Sequence, residues 1–218
     1  QLPATMTPWA SVDQHQMSKW NYYAGIFQVR GTPTGTFAWK NDRFDMCGFP
    51  SSATMQSEFG APWGSDTLGI CYWRKNSSNV LIEADVALNP TISWTLNEEA
   101  VYSGTTSSAS FRSTVFHELG HAWGLDHNFR YYSVMNYVPG WMRPLRTLPF
   151  MDDAEAIRAL YPGAAIPRSD VAVYLVNRGT ANSDGDFKDW VESTFPASAR
   201  AGTSFTLSNF HMENTGTT

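Results

Sequence analysis

Residues 117–127 read His-Glu-Leu-Gly-His-Ala-Trp-Gly-Leu-Asp-His, and the types and spacing of five of them suit metal-assisted hydrolysis. On a helix, His117 and His121 lie four apart, so both imidazoles project from one face and can share a tetrahedral ion. Glu118 is turned away from that pair, beside rather than on the metal, which is where a general base belongs. Gly124 can leave the helix through a conformation that is costly for a residue with a Cβ. That exit returns the chain so that His127 supplies a third nitrogen. Three protein ligands leave one position for water, the pattern of a catalytic rather than a structural zinc. A spent zinc site would have no need of Glu118.

Elements must position these groups. The segment 110–124 is helical by pattern, with Val115, Leu119 and Ala122 facing inward and Gly124 as its stop. Met17, Trp20, Ala24 and Phe27 recur every three or four residues, which predicts a helix over 13–25 with Asp13 as its cap. A third helix is expected over 152–161: Asp152 and Asp153 suit its positive end, Ala156, Ile157 and Leu160 form its stripe, and Pro162-Gly163 stops it. Strands are expected at 67–73 and at 80–88, where Ile82, Ala84, Val86 and Leu88 alternate with Glu83, Asp85 and Ala87. Gly31 to Gly35 suggests a hairpin turn, and 41–65 reads as loop. Strands followed by helices give an α+β class.

The composition shifts after about residue 165. We expect a catalytic domain over 1–165 and a β-rich segment over 166–218, which either opens an immunoglobulin-like module or extends the first domain. Asp184, Asp186 and Asp189 could chelate Ca2+, though an acidic surface loop is the more ordinary reading.

Composition excludes several classes. The 218 residues are 42% hydrophobic and 16% charged, a globular profile. The net charge of -5 argues against nucleic acid or an anionic membrane as partner, and no apolar run is long enough for a membrane span. The chain opens at Gln1 without a basic-then-apolar leader, so a processed form is expected. Its low lysine and high aromatic content suit a secreted, extracellular protein, expected as a monomer. Cys47 and Cys71 invite a disulfide worth about 3 kcal/mol; two buried thiols, or a thiol reactive toward metal, are the alternatives.

Residues 117–127 resemble the metzincin zinc endopeptidases, whose motif His-Glu-x-x-His-x-x-Gly-x-x-His is matched at every fixed position. The resemblance implies a twisted mixed sheet with an active-site helix and a closing helix, and a protein or peptide substrate. It also implies that Met135, in Ser133-Val134-Met135-Asn136-Tyr137, is the Met-turn residue packed beneath the histidines. Glu83-Ala84-Asp85-Val86 followed by Trp94, the stretch 152–161, and Trp20-Asn21 look like the matrixin branch. By that analogy the substrate adds as a strand along 67–71, with Gly69 and Ile70 in contact and Pro139 and Trp141 in the pocket wall.

Two features depart from matrixins. Tyr137 stands where they carry proline and is similar to the tyrosine of astacins and serralysins, which implies a place near the metal; a wall or core tyrosine is the alternative. The only other histidines are His15 and His211, so a second, structural zinc is not expected. Two rival functions share the motif: a zinc-binding adhesion module that no longer cleaves, and a toxin-like protease of narrow specificity.

Overall fold

The computed structural model describes residues 9–24, 39–41, 45–97, 100–101, 105–128, 133–136, 151–161, 171–174, 176–178, 190–192 and 211–214. Helix α1 (Ala10–Ala24) begins before Asp13, which falls inside its first turn rather than capping it. Val12, Gln16, Met17 and Trp20 form its buried face. The expected Gly31 to Gly35 hairpin lies outside the described residues.

The stretch 41–65 is not all loop. It holds β1 (Met46–Gly48) and α2 (Ser52–Phe59). The Ser51 side chain accepts from the Thr54 N–H at the start of α2, and Gly60 ends it at φ 85°. Those are ordinary start and stop signals. The helix between them carries no apolar stripe, because Met55 is its one buried residue among those described.

Strands β2 (Gly69–Lys75) and β3 (Leu81–Leu88) pair antiparallel, and β1 pairs parallel to β3. The order β1-β3-β2 makes β3 central and leaves β2 at an edge among the described residues. Glu83 to Leu88 are therefore buried on both faces, whereas β2 is half-buried. Short β4 (Trp94–Thr95) and β5 (Ala109–Ser110) pair in parallel and lead into α3 (Phe111–Ala122), the helix of the histidine motif. Helix α4 (Met151–Leu160) follows the segment containing Met135. In the C-terminal segment, β6 (Val171–Tyr174) pairs antiparallel with β9 (His211–Asn214), and β7 (Val176–Arg178) with β8 (Trp190–Glu192).

Helix α3 lies on the sheet face carrying Val86 and Leu88, and α1 backs it. Trp20 stacks on Phe116 at 4.7 Å and donates its indole N–H to the Phe116 carbonyl at 3.1 Å. Phe111, Phe116, Val115 and Ile157 fill this core. Each such side chain contributes about 1.5–3 kcal/mol by leaving water, and together they fix α3 between sheet and helix.

Cys47 and Cys71 are free thiols, not a disulfide. Both lie in register with Val86, one on each side of β3. Two strand spacings separate their Cα atoms by about 10 Å, beyond the ~7 Å that a disulfide can span. Burial, the larger cause, pushes both thiols well up; the Asp13 carboxylate adds to this at Cys47 and the Glu118 carboxylate at Cys71. They are protonated near neutrality and unreactive.

Candidate active site

Helix α3 starts with Ser110 as cap, its hydroxyl accepting from the Ser113 N–H at 3.1 Å. Its end is a Schellman exit. The Gly124 N–H donates to the His121 carbonyl at 2.8 Å, and the Leu125 N–H reaches the Gly120 carbonyl at 3.2 Å. Gly124 has φ 88°, the left-handed conformation its position requires. This exit does two things. It turns the chain toward His127, and it aims the Leu125 carbonyl at His121 Nδ1, 2.7 Å away.

His117 is held in the same way from another direction, with Nδ1 2.7 Å from the Val134 carbonyl. A carbonyl oxygen only accepts, so each Nδ1 carries the proton and each Nε2 keeps its lone pair. Those lone pairs converge. Nε2 of His127 lies 3.3 Å from that of His117 and 3.1 Å from that of His121. Burial lowers the pKa of His121 and of His127, and His121 lowers that of His127 further, so both favour the neutral ligating form. The three imidazoles offer ligand nitrogens within 4.8 Å of one another, close enough to share one metal ion. Three imidazole nitrogens suit zinc, and among the described residues this is the one cluster of its kind.

Glu118 is buried beside the cluster, and its Oε2 has no hydrogen-bond partner among the described residues. Burial alone raises its carboxyl to about 8. A buried carboxylate oxygen without a donor, next to a cation site, is suited to exchange a proton with a bound water. Both features lie in a cleft of about 1030 Å³ lined by Asp66 through Cys71, Trp73 and Lys75 on the β2 side, and by the histidines opposite. Gly69 and Ile70 thus line the cleft, and β2 extends along it to half-exposed Trp73, with Lys75 Nζ 4.7 Å from the Trp73 ring centre.

Met135 is fully buried beneath α3, in contact range of Gly120, between the turns that carry His117 and His121. Two residues that hold this frame escape a sequence reading. Asp153 of α4 accepts from the Ser133 hydroxyl, and its other oxygen accepts from the Val134 N–H at 3.1 Å. It therefore fixes the turn whose carbonyl orients His117, where the sequence suggested only a favourable helix-end charge. Asn89 joins the end of β3 to the cleft rim, donating to the Gly64 and Thr67 carbonyls at 3.2 and 2.8 Å. Its position directly before Pro90-Thr91 is the only cue in the sequence, a turn-forming residue. Tyr137, Pro139, Trp141 and the aspartates 184, 186 and 189 lie outside the described residues. His15 is exposed on α1, and His211 falls in β9, both away from the motif helix in the chain.

Residues 71–162 match the family model of the matrixins. The match spans less than half of the chain and makes this region, with its three clustered histidines, similar to the matrixin zinc metallopeptidases. No curated protein matches the chain. No described helix is long and apolar enough to cross a membrane.

Proposed function

We propose that the protein is a secreted endopeptidase that hydrolyses extended peptide segments laid along the outer edge of β2, with zinc held by His117, His121 and His127. The observation that carries this reading is the Oε2 of buried Glu118, without a hydrogen-bond partner among the described residues, beside three converging Nε2 atoms in a cleft that β2 lines. Bound zinc would supply Lewis acidity there, toward water and a carbonyl oxygen. Glu118 takes the proton from the attacking water and delivers it to the leaving amine nitrogen. The edge of β2 pairs with substrate backbone, so affinity comes from main-chain hydrogen bonds and selectivity from the side chains along the cleft. The Tyr137 hydroxyl, one residue beyond the Met135-Asn136 turn, is proposed to donate to the oxyanion. Residues 166–218 are proposed as an accessory β-rich segment.

Digestion of a denatured protein with and without a chelator tests the activity. Cleavage abolished by the chelator and restored by zinc is expected. In Glu118→Gln, zinc should stay bound while hydrolysis falls by about 10²–10⁴. Turnover retained by that zinc-loaded variant would overturn the assignment of the base, and zinc binding without any cleavage by the wild type would favour the recognition module.

A further inference from the structure

We propose that Gly69 is a positioning residue for Glu118: the missing side chain on the edge strand is the seat of the catalytic carboxyl. A Cβ at this position would come within 2.9 Å of Glu118 Oε1, 3.0 Å of its Cγ and 3.2 Å of its Cδ. Three consecutive atoms of one side chain would be crowded together, so rotating the carboxylate alone gives no relief. Backbone conformation does not explain the glycine. Gly69 is not among the positive-φ residues, and it sits in regular pairing opposite Leu88. Alanine would suit such a strand position better than glycine were it not for the neighbour.

Neither backbone is free to yield. On the strand side, the Asn89 N–H donates to the Leu68 carbonyl at 2.9 Å and its amide to the Thr67 carbonyl at 2.8 Å, pinning the residues just before Gly69. On the helix side, Trp20 stacks on Phe116, and Met135 and Trp20 both crowd Gly120, where another Cβ would collide. With strand and helix fixed, an added methyl would have to displace the Glu118 side chain. Because Glu118 serves the reaction from this seat, Gly69 acts on the chemistry without touching the reacting atoms.

The catalytic part of this inference rests on the proposed proteolysis; the contact itself does not. Two measurements separate them. In zinc-loaded Gly69→Ala, kcat should fall by about 10-fold, because contacts of 2.9 to 3.2 Å oblige the carboxyl to give way by a few tenths of an ångström, with KM and zinc stoichiometry unchanged. An unchanged kcat, or a loss confined to KM, would overturn the positioning role in favour of a substrate contact. Thermal unfolding of the metal-free proteins gives the second. Gly69→Ala should lower Tm by a few degrees in the wild-type background and leave it unchanged or raised in Glu118→Ala, where the methyl enters vacated space. Equal shifts in both backgrounds would overturn the contact. If Gly69→Ala alone does not fold, restored folding in the double variant supports the inference and continued failure refutes it. A wild type that cleaves nothing refutes the proteolytic reading, and the unfolding cycle still decides the contact.

Discussion

Burial and charge oppose one another at Glu118. In the metal-free protein, desolvation raises its carboxyl from 4.5 to about 8. The folded state then holds a proton that the unfolded chain has released, so this group's contribution to stability is present below about pH 4.5 and is lost as pH rises toward 8. His121 and His127 run the other way. Their lowered values mean that the folded state binds fewer protons, so their contribution is present above the ordinary histidine range and is lost as pH falls. Comparing variants isolates the carboxyl. Metal-free Glu118→Gln should lose less stability than the wild type between pH 5 and 8, and parallel urea-melt profiles would show that Glu118 is not the titrating group. At Tyr137 the expectation concerns rate. Tyr137→Phe should lower kcat more than it changes peptide affinity if the hydroxyl acts in the transition state; an unchanged kcat would make it a wall residue.

The elements matter through their ends. The exit of α3 both redirects the chain and supplies the carbonyl that orients His121, and α4 reaches the other imidazole through Asp153, Val134 and His117. The link through Asp153 consists of a buried carboxylate whose two oxygens accept from separate donors. Asp153→Asn keeps the shape but replaces one acceptor oxygen with a donor group, leaving a buried N–H or O–H facing a like group. Zinc affinity should fall by about 10–100-fold, the usual effect of disturbing a partner behind a ligating histidine. Isothermal titration would measure it, and wild-type affinity in the variant would show that the turn holds itself in place. Helix α2 teaches a different lesson. Its caps, Ser51 and Gly60, stand in the sequence, but its polar surface hides it from a search for apolar periodicity.

For the molecule as a whole, the histidine cluster joins pieces distant in sequence: α3, the turn at Met135 and, through Asp153, α4. A ligand that binds only the folded state stabilises it by mass action, about 4 kcal/mol at a free concentration 1,000 times Kd. Chelation should therefore lower Tm, and the drop should shrink in His127→Ala, which removes one donor. An equal drop in both proteins would place the stabilising metal elsewhere. Most of the principal elements are legible from periodicity: α1, α3, α4, β2 and β3 fall close to their expected positions, with ends displaced by up to three residues. The miss at 46–48 has a plain cause. Three residues pairing parallel to a central strand show no alternation and are defined by their neighbour.

Spacing alone singles out His117, His121 and His127 as candidate metal ligands, because their arrangement around a helix and its glycine exit is a local geometric fact. It also carried the candidate base, since Glu118 follows a histidine on the same helix. Tertiary structure decided what surrounds them. Cys47 and Cys71 had the spacing of a disulfide, yet β3 runs between them. Asp153 and Asn89 gained their roles from partners that lie 19 to 25 residues away. Gly69, expected as a substrate contact, also lies where an added Cβ would come within 2.9 Å of Glu118 Oε1. Local spacing can specify what a helix presents. Which backbone packs against it, and how closely, is settled only when the chain closes on itself.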